Sequence, residues 1–258
     1  ILSNTVSTME GLDDCPVFID INDLHNFANS FDVSHDYYLY LSEDGLSLKP
    51  FDKSKHGDIK VDFLRGKNNH RRLYSTSYRS DIARAFAISS KNKPRILDCT
   101  AGFGSDAFSL ASLGCEVKLI ERNPLIYALL HDGIQRMEMA ICSDEKLKKC
   151  INISCRFGDS ICYLNQSSGD QSFFDAIYLD PMFPPKSKSA KSKKEMQAVQ
   201  NITDSEDDYD KLLSGALESR VKRIVIKRPI KGSFLSGISP SFSIKARSIR
   251  YDVFINSC

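Results

Sequence analysis

From Arg95 onward, short apolar runs alternate with helical patterns, and no other feature constrains the fold of this chain as strongly. The runs are RILDCT, EVKLIE, INISCRFGD, FFDAIYLD and KRIVIKRP. Between them, Ser105–Leu113 reads as a short helix stopped by Gly114. Asn123 and Pro124 read as an N-cap and first helical residue, followed by Leu125, Ile126, Leu129, Leu130 and Ile134 on one face. Ser205 with Asp208 resembles a capping box ahead of the stripe Tyr209, Leu212, Leu213, Ala216 and Leu217. Strands and helices in this order imply right-handed crossovers and a mostly parallel sheet. FFDAIYLD is nearly all apolar, as a central strand buried on both faces requires. SFSIKARSIRYDVFIN reads as a closing antiparallel pair. Ligands of such sheets sit beyond the C-terminal strand ends. The residues to read for chemistry are therefore Asp98, Glu121, Asp159, Asp180 and Lys227.

The segment before Arg95 has a different pattern. DYYLYLSEDGLSLKPF alternates around Asp44-Gly45, a hairpin signal, and a basic stretch from Arg65 to Arg72 follows. The expected division is a small α+β extension over residues 1–90 and an α/β domain over 91–258. At 258 residues, 41% hydrophobic and 26% charged, the composition is that of a globular protein. No apolar run is long enough for a bilayer. The opening ILSNTVSTMEGLDD lacks the basic start and apolar middle of a secretory signal. The eight cysteines show neither C-x-x-C nor zinc spacing with His, so reduced thiols in a cytoplasmic protein are expected, with no metal and no membrane. Cys99 and Cys115 read as small buried hydrophobes.

The first strand leads into Gly102-Phe103-Gly104-Ser105-Asp106-Ala107, which fits the G-x-G-x-x-[GA] dinucleotide fingerprint, with Glu121 near the distance of a ribose-binding acid. Charge separates two cofactors. A dinucleotide places an anionic pyrophosphate on the turn and helix N-terminus. Here Asp98 precedes the turn and Asp106 lies in the first helical turn, where both would repel it. S-adenosylmethionine (SAM) carries an ammonium and a sulfonium instead, and the glycines let backbone approach it closely. Asp106 is also what a helix N-terminus favours with no ligand at all.

LDPMFPP (Leu179–Pro185) follows the most apolar strand and is similar to the [DN]-P-P-[YF] tetrad of amino-group methyltransferases, with Met182 in place of the second proline. An exocyclic base amine is a poor nucleophile because its lone pair is delocalised into the ring. A carboxylate accepting its N–H draws the lone pair out, and a stacked ring fixes the line of attack. Asp180 would be the acceptor, Pro181 the rigid backbone and Phe183 the stacking ring. An ordinary Asp-Pro turn is the alternative.

Together, DCTAGFGSDAFSLASLGCEVKLIERNP, YLDPMFPPKSKSAKSKKEM and IVIKRP resemble the bacterial small-subunit ribosomal RNA guanine-N2 methyltransferase J family, and VDFLRGKNNHRR resembles the stretch before its core. The resemblance runs from about Asp36 to Phe254. It implies a class I SAM-dependent methyltransferase, a Rossmann-like fold with a seven-stranded, mostly parallel sheet. It also implies SAM as donor and a guanosine of 16S ribosomal RNA, free or in the small subunit, as acceptor. Carried over, the cofactor contacts fall on Ser105, Asp106, Glu121, Arg122, Asp159, Ser160 and Asp180, to which the reading of the glycine turn adds Asp98, Gly102 and Gly104. The family carries a basic residue where Ser105 stands.

With a net charge of only +2, binding RNA requires local positive clusters. The candidates are Arg65, Lys67, His70, Arg71 and Arg72 before the core, and Lys186, Lys188, Lys191, Lys193 and Lys194 after the tetrad. Lys227 and Arg228 would extend the rim. Singly, each lysine reads equally as a solvated side chain. An adenine-N6 methyltransferase uses the same tetrad. A nicotinamide-dependent oxidoreductase and a SAM-binding RNA scaffold without catalysis are the remaining alternatives.

Overall fold

The computed structural model describes residues 37–50, 57–65, 77–143, 151–165, 173–181 and 206–256. A two-stranded antiparallel hairpin, β1 (Tyr37–Ser42) and β2 (Gly45–Pro50), comes first, as its alternation predicts. Then follow α1 (Asp81–Ala85), β3 (Arg95–Asp98), α2 (Ser105–Ser112), β4 (Glu116–Glu121), α3 (Pro124–Ser143), β5 (Asn152–Phe157), α4 (Ser160–Asn165), β6 (Ala176–Leu179), α5 (Glu206–Glu218), β7 (Arg223–Pro229), β8 (Phe242–Lys245) and β9 (Ile249–Ile255).

The main sheet has seven strands in the order β5-β4-β3-β6-β7-β9-β8. The first five are parallel, and β9 is antiparallel to both β7 and β8. The expected closing pair thus forms, with its second strand inserted beside β7.

Side chains alternate between two apolar layers because the strand period is two. Ile96, Tyr178, Val225 and Val253 join Phe108, Leu130 and Phe86 under α1, α2 and α3. Leu97, Ile177, Leu179, Ile224 and Ile226 join Leu164, Leu212 and Leu213 under α4 and α5. All four residues of β6 are buried, which explains its unbroken apolar sequence. Leu48, Ile59, Val61 and Phe63 belong to the first layer, with the Phe63 ring stacked on Phe108 at 4.9 Å. No helix among the described residues is long and apolar enough to cross a membrane.

The chain leaves β3 to build β4 and β5 on one side, then returns to build β6 and β7 on the other. The crevice at that reversal is where open α/β sheets bind ligands. It lies between the ends of β3 and β6, flanked by β4 and β7.

Candidate active site

A cleft of about 350 Å³ occupies that position. One wall is the glycine turn. Gly102 and Gly104 take φ of +51° and +70°, a region that side chains rarely adopt. A Cβ on Gly104 would lie 2.8 Å from Leu130 Cδ1 and 3.1 Å from Phe63 Cζ, so this glycine serves packing. A Cβ on Gly102 would approach only the Thr100 carbonyl, at 4.0 Å, so the space beside that backbone is not filled by protein. Glu121, at the end of β4, is buried and accepts from the Gly102 N–H at 3.0 Å and the Asn123 N–H at 2.8 Å. Those two donors fix its carboxylate at the cleft. Asn123 Oδ1 in turn accepts from the Leu125 and Ile126 N–H groups, the cap its sequence predicts.

The opposite wall is the end of β6. Thr100 joins the two sides: its hydroxyl accepts from the Asp180 N–H at 2.7 Å, and its N–H donates to Asp98 at 2.9 Å. Lys227, at the end of β7, donates to Asp106 at 2.7 Å and to Asp180 at 2.8 Å. The buried Tyr178 hydroxyl also donates to Asp106, at 2.7 Å. Burial, and secondarily the Asp106 charge, push the Asp180 carboxyl up to about 6, while Lys227 pulls it down. Pro181 is buried directly after it.

Asp98 is 2% exposed. Burial and the Asp106 and Asp180 charges push its carboxyl up to about 7, against two hydrogen bonds from Thr100. Between its ordinary 3.8 and that value the folded chain binds more protons than the unfolded one, so stability falls as pH rises through this window. The unliganded protein is expected to unfold at lower temperature as pH rises from about 5 to 8, and Asp98→Asn to reduce that slope. Thermal unfolding at a series of pH values checks this. An unreduced slope would mean that another group carries the effect.

One sequence expectation changes in the structure, the outer rim of Lys227 and Arg228; Arg122, Asp159 and Ser160 line the cleft and also take protein partners. Asp159 caps α4, its Oδ1 accepting from the Ile161 and Cys162 N–H groups, because β5 ends at Phe157 and a short helix begins at Ser160. Ser160 is buried and donates to the Cys99 carbonyl at 2.8 Å, tying that helix to the sheet. Arg122 lines the cleft, where Asp208 of α5 accepts from both of its terminal nitrogens at 3.0 Å and Asp159 lies 3.7 Å away. Lys227 and Arg228 do not form an outer rim. Lys227 points into the cleft, and Arg228 is 4% exposed with its guanidinium donating to the Ser233 carbonyl.

Thr100, Tyr178, Asp208, Tyr209 and Leu212 also line the cleft, unforeseen from sequence. Ser105 and Asp106 lie there as expected. Met182, Phe183, Lys186, Lys188, Lys191, Lys193, Lys194, Ser205, Lys67, His70, Arg71 and Arg72 lie outside the described residues. Arg65 is exposed, 4.0 Å from Asp44.

Among the described residues, six carboxylates (Asp98, Asp106, Glu121, Asp159, Asp180 and Asp208) line the cleft against two bases, Arg122 and Lys227. Ile126, Ile161, Tyr209 and Leu212 supply apolar surface. The donor set and the open face of Gly102 suit a nucleoside that carries positive charge, and SAM fits that description where a pyrophosphate does not. Fold and cleft together define a class I SAM-dependent methyltransferase.

The SAM-dependent methyltransferase family model matches residues 23–256. The ribosomal RNA small subunit methyltransferase J of Cellvibrio japonicus is 41% identical over 221 residues, covering 85% of this chain and 83% of that protein. Its counterpart from Pseudoalteromonas translucida is 39% identical over 242 residues, with 94% of each covered. The crystal structure of the SAM-dependent methyltransferase NGO1261 from Neisseria gonorrhoeae superposes with a TM-score of 0.66 at 28% identity, covering 88% of this chain and 85% of that one. The chain belongs to the ribosomal RNA small subunit methyltransferase J family of SAM-dependent methyltransferases, and SAM is its cofactor. The oxidoreductase alternative does not hold.

Proposed function

We propose that this chain transfers a methyl group to the exocyclic N2 of a guanosine in 16S ribosomal RNA, in the cytoplasm. The observation that carries the reading is Asp180-Pro181 at the end of β6, facing the glycine turn across one cleft, with the carboxylate held by Lys227 and the backbone N–H by Thr100. The names of the relatives supply the RNA. When bound, SAM supplies an electrophilic methyl on a sulfonium.

Glu121, fixed by two backbone donors, would receive the ribose hydroxyls, and the Gly102 turn tied to it would hold the cofactor from the other side. Asp180, ionised at neutral pH, accepts an N–H of the base amine and makes the nitrogen lone pair available. As the nitrogen gains the methyl carbon it becomes cationic and loses a proton, which the Asp180 carboxylate is placed to take. Phe183 is assigned stacking on the base from its place in the tetrad. The 186–194 lysines and His70, Arg71 and Arg72 are assigned to the flanking phosphates.

A strain lacking the chain tests this. One guanosine of its small-subunit RNA should lose an N2-methyl, and the wild-type gene should restore it. Loss of an adenine N6-methyl instead would overturn the guanine assignment.

A further inference from the structure

The ends of β3, β6 and β7 and the start of α2 bring three carboxylates together: Asp98, Asp106 and Asp180. The tyrosines facing them are Tyr178 from β6 and Tyr251 from β9, and Asp81 at the start of α1 acts on Tyr251. Among the described residues, one cation stands among these groups, the ammonium of Lys227. The other base of the cleft, Arg122, is engaged on the far wall by Asp208 and Asp159.

The contacts form a chain of support. Tyr178, immobile in the core, fixes Asp106 through its hydroxyl. Asp106 anchors Lys227, and Lys227 holds one oxygen of Asp180. Burial alone would lower the Lys227 pKa, but the two carboxylates hold it above the ordinary lysine range, so the cation persists at every pH of interest.

We propose that Lys227 is the positioning residue of the transfer site, an ammonium clamped between Asp106 and Asp180 that keeps the Asp180 carboxylate ionised and turned toward the base amine. This rests on Asp180 being the amine acceptor. A protonated Asp180 would present a donor to the amine's own donors and could not engage it. With Lys227 removed, the remaining carboxylates repel one another and no cation among the described residues opposes the burial of Asp180.

The test uses Lys227→Met, with Lys227→Gln as a second variant if the first does not fold, and Lys227→Arg as the conservative one. The Asp180 carboxyl is followed directly by carbon NMR in the unliganded protein, its signal assigned by loss in Asp180→Asn. Its midpoint should rise from about 6 by about one unit or more in Lys227→Met. The acid limb of kcat should rise by the same amount, with transfer partly recovered at high pH. The KM for RNA should stay near the wild-type value, and Lys227→Arg should restore most of both readouts.

An unmoved Asp180 midpoint with an unmoved acid limb would overturn the proposal. So would a raised KM for RNA as the sole effect, which is the behaviour of a phosphate contact. If the midpoint moves while Asp180→Asn keeps full transfer, the acceptor role of Asp180 fails instead.

Discussion

Asp180→Asn is expected to reduce methyl transfer by roughly 100- to 10,000-fold, the range of a positioned acid–base group. The substitution keeps the size of the side chain and the backbone bond to Thr100. It removes the charge that pairs with Lys227 and offers the base amine a group that need not accept from it. The loss should fall on kcat, because the interaction is made with the reacting nitrogen and strengthens as that nitrogen becomes cationic. SAM affinity should change little, since the turn and Glu121 are untouched. Single-turnover transfer to small-subunit RNA, alongside calorimetric SAM titration, separates the two quantities. Full transfer in the variant would reduce Asp180-Pro181 to a turn.

Glu121→Ala should give the reverse pattern. Its carboxylate binds the N–H groups of Gly102 and Asn123 across the cleft mouth, so truncation strips the cofactor of its ribose partner and leaves two donors without their acceptor. SAM affinity should fall by about 1–3 kcal/mol, roughly 5- to 150-fold. The fold should lose stability too, because the Gly102 turn is no longer tied to β4. Near-normal kcat should return at saturating SAM, since the Asp180 side is intact. Calorimetry and thermal unfolding of the variant measure both effects. Unchanged SAM affinity would remove Glu121 from the cofactor site.

Much of this site was legible before any coordinates. The apolar runs ended where the strands end, so Asp98, Glu121 and Asp180 could be named as groups converging on one crevice. A parallel sheet leaves little other place for polar strand-end residues to meet. The positive-φ turn at Gly102 and the Asn123 cap were legible for the same local reasons.

What sequence could not supply was partnership across distance. Lys227 and Arg228 are adjacent and both basic, and as a pair they resemble an RNA rim. Strand alternation sends them to opposite faces, one into the acid cluster and the other beneath the 229–234 turn. Arg250 shares that second position, donating to the carbonyls of Pro229, Ile230 and Gly232 while paired with buried Asp252.

In the sequence, Asp208 reads as the second half of a capping box with Ser205. It meets Arg122 because α5 crosses the cleft, a fact of packing that no local pattern carries. Asp159 has a second role for a smaller reason: one unforeseen turn of helix after β5 gives its Oδ1 two backbone donors while the residue still lines the cleft.

The proposed function requires that one cleft join a SAM site on the β4 side to a base-amine acceptor on the β6 side. Its most direct test is the product made by the purified chain from methyl-labelled SAM and small-subunit RNA, digested to nucleosides. The label should travel with N2-methylguanosine and disappear when Asp180→Asn replaces the wild type. Label on a ribose hydroxyl or a ring carbon, or label undiminished in the variant, would contradict it.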